Sequence, residues 1–241
     1  MFSAQNFAAR LAAREDRWSL LKDFVAEWHT PIQEGDGYSV EDIDAAEQRL
    51  SLELPLALRE YYLLLGKRED LVAAANFLVS PDELEVRDGL LVFYSGPQGV
   101  LEWGIRRRDL KLDDPPAYLN DSGIHETPQK PIRENETLSE FVLQMLVVET
   151  AYFSKLGGSV ETDAKTLEAF QQTLTPLGLP DWHWPDYPCR SYGAIDILIN
   201  AMPSTRQSGK QFLLIGANTK DAVQRVAKTI TFDYWNTPNL E

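Results

Sequence analysis

Apolar residues recur with a period near 3.6 in several parts of the chain, which is the pattern of helices that bury one face. Start and stop signals accompany several of these segments: Ser39 precedes Asp42 by three positions, Thr137 precedes Glu140 by three, and Gly66 follows an apolar run. Ser80 and Pro81 predict one additional short helical turn. The pattern predicts longer helices over residues 5–28, 39–54, 55–66, 141–153, 166–174 and 221–230.

Runs of branched and aromatic residues predict strands. Residues 90–94 and 100–105 flank a turn at 96–99 and predict a hairpin, and further strands are expected near 116–119, 195–202 and 211–217. Helices therefore cluster at both ends of the chain with strands between them. This order predicts an α+β fold with helices packed on a mainly antiparallel sheet.

The chain is strongly acidic. The 241 residues contain 37 acids and 23 bases, so the net charge is −14. Residues 36–90 hold thirteen acids against five bases and carry −8 of that total. A negative field repels phosphate backbones and attracts cations, so we expect a basic protein partner and no nucleic acid. The alternative is that the acidity serves solubility alone.

The order of several short motifs resembles the SUKH superfamily, the Smi-Knr type proteins. A helix carrying Glu47 before Arg49-Leu50 leads to Leu54-Pro55 and a second helix that ends at Gly66. The matching motifs continue with residues 98–100, 103–105, 114–118 and a final helix from Leu138. The chain departs from the family pattern after Gly66, where residues 67–70 read Lys-Arg-Glu-Asp.

This resemblance implies a SUKH-like core over residues 36–153 with no known catalytic residues. The chain is then expected to form a single domain over residues 1–241, with an N-terminal helix extension (1–35) and an α/β C-terminal extension (154–241). Bacterial members of this superfamily typically bind a cognate toxin, often a nuclease, and block it. Fungal members act as regulators through protein contacts.

Candidate chemistry is sparse. The three histidines, His29, His125 and His183, are not paired at metal-ligand spacing, and no nucleotide-binding or hydrolase motif occurs. We therefore expect no metal, no cofactor and no catalytic residues. A remote alternative is a hydrolase that uses Cys189 with His183. The single cysteine, and the lack of a secretory signal or a membrane-length apolar run, favour the cytoplasm and no membrane partner.

The expected function is an immunity protein that neutralises a basic toxin domain by direct binding, and the alternative is a regulatory scaffold without a toxin partner. Acidic side chains would supply charge complementarity, and exposed aromatic rings would act as interface anchors. The candidate partner-binding residues are Asp82, Glu83, Glu85, Asp88, Asp113, Asp114, Trp182, Trp184 and Tyr187.

Overall fold

The computed structural model describes residues 4–121, 123, 130–184, 187–194, 196–228, 230 and 234–235. The chain forms two compact units. One consists of residues 31–143, and the other of residues 1–30 together with 144–241. The prediction of a single domain over residues 1–241 stays a prediction.

The described residues form eight α-helices. Their bounds are α1 (Ala4–Phe7), α2 (Arg14–Trp28), α3 (Val40–Leu50), α4 (Leu56–Leu65), α5 (Glu69–Val72), α6 (Leu138–Phe153), α7 (Ala164–Gln171) and α8 (Lys220–Ala227).

The described residues also form twelve strands. Their bounds are β1 (Phe77–Leu78), β2 (Glu85–Arg87), β3 (Leu90–Ser95), β4 (Glu102–Arg106), β5 (Ala117–Asn120), β6 (Ile132–Asn135), β7 (Leu156–Thr162), β8 (Thr175–Pro176), β9 (Arg190–Ala194), β10 (Ile197–Pro203), β11 (Gln211–Ala217) and β12 (Tyr234–Trp235).

The unit of residues 31–143 is built on an antiparallel sheet in the order β1-β3-β4-β5-β6, with β2 also paired to β3. An aromatic cluster lies in its core, where the rings of Phe93 and Tyr94 meet Phe141 edge-on at 5.3 and 5.9 Å. Trp103 contacts both Tyr94 and Phe141 and is fully buried. Large buried rings of this kind supply much of the hydrophobic stabilisation of a unit this size.

Local sequence signals explain the ends of these elements. The Ser39 hydroxyl accepts a hydrogen bond from the Asp42 amide, and the Asp42 carboxylate accepts one from the Ser39 amide, which caps α3. Asp88 and Gly89, at φ 52° and 80°, form the two-residue loop between β2 and β3. Two consecutive positive φ angles define the turn type that matches strand twist, and an Asp-Gly pair adopts it readily.

The second unit has an antiparallel sheet in the order β12-β7-β11-β10-β9-β8. One face is covered by apolar residues of α8, including Val223 and Val226, which join the core formed by the strands. On the other face, the end of α6 passes close to Gly216, where a Cβ atom added to the glycine would lie 2.9 Å from Ala151 Cα. The buried Asn200 amide donates to the Val148 carbonyl at 3.3 Å, which ties α6 to the sheet.

The predicted α+β class with antiparallel strands is confirmed. One local prediction is wrong. The helix expected over residues 5–28 is interrupted at 11–13, where the Arg17 guanidinium donates to the Leu11 carbonyl. The short helical turn expected at Ser80 and Pro81 is a single hydrogen-bonded turn over residues 81–83, in which the Glu83 and Leu84 amides donate to the Ser80 carbonyl.

Candidate functional site

The net charge is unevenly divided between the two units. Residues 31–143 contain 23 acids and 11 bases, so this unit carries −12 of the total of −14. Residues 1–30 and 144–241 contain 14 acids and 12 bases, which leaves −2. The excess of acids over bases between residues 36 and 90 therefore lies entirely within one compact unit.

The five bases between residues 36 and 90 are all engaged within the unit. Each one either forms an ion pair with an acid of the same unit or donates to backbone carbonyls. The pairings are Arg59 with Asp44 and Glu47, Arg68 with Asp36 and Asp70, Arg87 with Glu85 and Glu102, Lys67 with Asp42, and Arg49 with the Pro81 and Leu84 carbonyls. Four of these bases therefore neutralise acids beside them, several of which are half-exposed, and the negative excess lies on the acids that remain.

Three acidic side chains act electrostatically on one partly exposed tyrosine. Asp42, Asp82 and Glu83 all exert a negative potential on the Tyr38 hydroxyl. Lys67 holds its ammonium group 5.1 Å from the centre of the Tyr38 ring and 3.8 Å from Asp42. We call these five residues the Tyr38 surface. Lys and Arg side chains of a partner protein favour the same setting, in which a cation lies over an aromatic ring and close to carboxylates.

The chain before α3 is held tightly in place, and this positions Tyr38. The Tyr38 amide donates to the Tyr62 carbonyl at 2.9 Å, and the two rings meet edge-on at 5.8 Å. The Tyr62 hydroxyl in turn donates to the Val79 carbonyl at 2.6 Å. A side chain at Gly37 would lie 1.8 Å from the Leu63 carbonyl oxygen, so this close approach requires glycine.

The turn that carries Asp82 and Glu83 is also fixed. The Arg49 guanidinium donates to the carbonyls of Pro81 and Leu84, at 3.1 and 2.8 Å, on either side of the two acids. The Ser80 hydroxyl donates to Glu83 at 2.7 Å. Both acidic side chains remain exposed to solvent. A fixed backbone with exposed carboxylates presents a defined charge pattern to a partner, at a low cost in conformational entropy on binding.

Burial and the acids of the Tyr38 surface both raise the pKa of the Tyr38 hydroxyl, and the effect of the acids can be measured. Burial raises the pKa of the Tyr38 hydroxyl above its ordinary value of 10.0, and the charges of Asp82, Glu83 and Asp42 raise it further. Negative neighbours disfavour the phenolate because they repel its charge.

We therefore expect the double variant Asp82→Asn/Glu83→Gln to lower the Tyr38 pKa without restoring the ordinary value, because burial is the larger cause. An NMR titration of the Tyr38 ring, assigned with Tyr38→Phe, measures this shift. The variant Glu27→Gln, in the other unit, is the control. An unchanged Tyr38 pKa in the double variant would show that the two acids do not act on this ring.

The other four acids that the sequence predicted to bind a partner lie elsewhere in this unit. Glu85 pairs with Arg87, and Asp88 lies in the exposed turn between β2 and β3. Asp113 is exposed, and its carbonyl accepts a hydrogen bond from the Ala57 amide. Asp114 accepts from the amide and the hydroxyl of Ser139, at 2.9 and 2.5 Å, in the first turn of α6. Its carboxylate therefore stabilises the start of a helix.

The three predicted aromatic residues all lie in the other unit. Trp182 is 0% exposed, so the expectation that its ring forms part of a surface is wrong. Residue 182 also pairs with the buried Cys189 through two backbone hydrogen bonds, at 3.0 and 2.9 Å. Trp184 is partly buried against Tyr152, whereas Tyr187 is 52% exposed and stacks on His183 at 4.4 Å.

The residues of the remote hydrolase alternative do not form an exposed pair. Cys189 is 1% exposed and lies in the core of its unit, so its thiol has almost no access to a substrate. Among the residues that the structure describes, no group of three or more His, Cys, Asp or Glu side chains has an arrangement suited to a metal ion. His125 lies outside the described residues.

Sequence reasoning identified Asp82 and Glu83 but missed Tyr38 and Asp42. Asp42 was counted among the acids of residues 36–90 but was singled out as a helix cap, a role that it does fill. Tyr38 belonged to no motif. The available signal was Gly35-Asp36-Gly37 immediately before Tyr38, because closely spaced glycines often allow a backbone to approach another element.

Comparisons with known proteins identify no relative. The chain matches no protein-family model, no curated protein and no solved structure. No helix within the described ranges combines the length and the apolar character needed to cross a membrane.

Proposed function

We propose that this chain binds a basic protein through the Tyr38 surface and that the partner is a toxin domain which the complex neutralises. The observation that carries this proposal is the charge of −12 on residues 31–143, where the bases between residues 36 and 90 are engaged internally. A unit with that charge attracts a cationic surface over distances near the Debye length, about 8 Å at physiological salt. Attraction of this kind raises association rates and selects basic partners.

The composition of the Tyr38 surface also supports protein binding. It combines an aromatic ring with exposed carboxylates, and Val40 beside it is 47% exposed. Protein interfaces commonly join aromatic contact area with a charged rim. Asp82 and Glu83 stand on a turn whose backbone is already ordered by Arg49, so a partner need not order it.

The order of elements in residues 31–143 supports a SUKH-like assignment. Two helices, α3 and α4, precede an antiparallel sheet, and α6 begins after the last strand of that sheet. This is the order expected from the motif resemblance. A SUKH-like domain in bacteria typically acts by binding and blocking a toxin, and the acidic unit provides the charge for a basic one.

The test begins with a search of the genes beside the one for this chain for a toxin domain, followed by co-expression of that domain with the chain. Cells that express the toxin alone should stop growing, and the full chain should restore growth. The purified pair should elute as one complex in size-exclusion chromatography, with affinity that falls as salt rises from about 50 to about 500 mM. A neighbouring toxin that neither binds the chain nor is neutralised by it would reject the proposal and favour a regulatory scaffold.

A further inference from the structure

The unit of residues 1–30 and 144–241, whose net charge is only −2, contains a pocket of about 500 Å³. It lies on the sheet face where three neighbouring strands align Glu161, Phe212 and Met202 side by side. Leu214 continues the same face along β11, and Tyr152, in the last turn of α6, forms a wall. The volume falls within the range of sites that hold small molecules.

The aromatic side chains of the pocket favour an aromatic ligand. Phe212 and Tyr152 offer two ring surfaces, and Met202 adds a polarisable thioether. Aromatic rings and thioethers both make favourable contacts with a further ring. Tyr152 is 46% exposed and lies 4.7 Å from the ring of Phe153, which is 47% exposed, so the aromatic surface extends beyond the pocket mouth.

Two opposite charges line the same pocket. Glu161 is partly buried, and its Oε1 accepts a hydrogen bond from the Ser204 hydroxyl at 2.7 Å. The Arg206 and Gln207 amides donate to the Ser204 oxygen, at 3.1 and 2.9 Å, so the loop and the carboxylate are ordered together. The carboxylate places a negative charge in the pocket lining, which attracts a cationic group of a ligand.

Arg206 provides the complementary charge at the rim. Its side chain is exposed, and it forms no ion pair with any other residue in the described part of the chain. A guanidinium presents a planar donor set that suits a carboxylate. A pocket with an aromatic floor, one carboxylate and one guanidinium is complementary to a ligand with a ring and both charges.

We propose that this pocket binds a small zwitterion with an aromatic body, the class that aromatic amino acids represent. The ring lies on Phe212 and Met202, the ammonium group binds Glu161, and the carboxylate binds Arg206. This inference does not rest on the proposed function, because every lining residue falls between positions 152 and 214, outside the acidic unit.

Isothermal titration calorimetry of the full chain with three probes tests the proposal. L-tryptophan carries both charges, tryptamine carries only the cation, and indole-3-propionate carries only the anion. We expect L-tryptophan to bind and each single-charge probe to bind about tenfold more weakly or worse, because each of them lacks one charge-assisted hydrogen bond and tenfold corresponds to about 1.4 kcal/mol. Absence of L-tryptophan binding at millimolar concentration would overturn the proposal.

Charge-neutral variants assign the two contacts separately. Arg206→Gln should weaken L-tryptophan and indole-3-propionate but leave tryptamine unchanged, and Glu161→Gln should weaken L-tryptophan and tryptamine only. The glutamine in Glu161→Gln keeps an acceptor for Ser204, so the loop should remain ordered. Lys228→Gln, an exposed change at the end of α8, is the matched control and should bind as the parent does. Equal weakening of all three probes by Arg206→Gln would contradict the assigned role of its charge.

Discussion

The double variant Asp82→Lys/Glu83→Lys is expected to associate with the toxin domain about tenfold more slowly than the parent at about 50 mM salt, or slower still. The two changes replace attraction at the Tyr38 surface with repulsion, because each one turns a negative side chain into a positive one. The difference should shrink at about 500 mM salt, where the Debye length is only a few ångströms. Stopped-flow or surface-based kinetics at both salt concentrations measures the association rate.

The matched control is Glu27→Lys/Glu168→Lys, which changes the net charge equally but alters exposed acids of the other unit. It should associate nearly as fast as the parent, because the effect depends on the local field. Equal slowing in both double variants would show that the association rate depends on the net charge of the chain and not on the Tyr38 surface. The single variant Asp82→Lys leaves the Ser80–Glu83 hydrogen bond intact and separates a charge effect from a change in the turn.

A second large effect is expected at Gly37. In Gly37→Ala the new methyl group would lie 1.8 Å from the Leu63 carbonyl oxygen, and the contact involves backbone that cannot easily move. We expect the free energy of unfolding to fall by about 3 kcal/mol or more, at the upper end of overpacking changes. Urea unfolding followed by tryptophan fluorescence measures the change, with the denaturant slope checked for two-state behaviour.

The control for this change lies two residues earlier. Gly35 has φ 93° but open space around it, so Gly35→Ala meets backbone strain alone. That strain should cost about 1–2 kcal/mol. Equal losses in the free energy of unfolding of the two variants would show that the close approach of Gly37 to α4 is not what holds Tyr38 in place. A toxin complex weakened by Gly37→Ala more than by Gly35→Ala would connect this approach to binding.

Much of the local structure could be predicted because its signals lie within a few residues. The capping pair Ser39–Asp42 begins α3, Gly66 follows the last residue of α4, and the turn at 96–99 joins two paired strands. The coarse α+β class follows from the order of these elements. Each of these features depends on contacts between neighbours in sequence, which is the information that periodicity and capping patterns contain.

The candidate surface could be predicted only in part, because it joins positions far apart in sequence. Asp82 acts on Tyr38 from a turn 44 positions further along the chain, which Arg49 of α3 holds by its hydrogen bonds to the Pro81 and Leu84 carbonyls. Strand β7 was missed because Gly157 and Gly158 weaken the strand pattern, although residue 157 needs to be small where it passes Ile215. The backbone pairing of residue 182 with residue 189 is likewise a feature that the residue types do not reveal.

The surplus of negative charge on residues 31–143 also has a cost for the protein itself. Like charges confined to one body of this size repel each other and weaken the folded form. A cationic partner of the kind proposed would relieve that repulsion as it docks, so the complex should resist unfolding better than the direct contacts alone would suggest. Dissolved cations perform the same task less specifically, and the chain alone should tolerate heat better in saline than in dilute buffer.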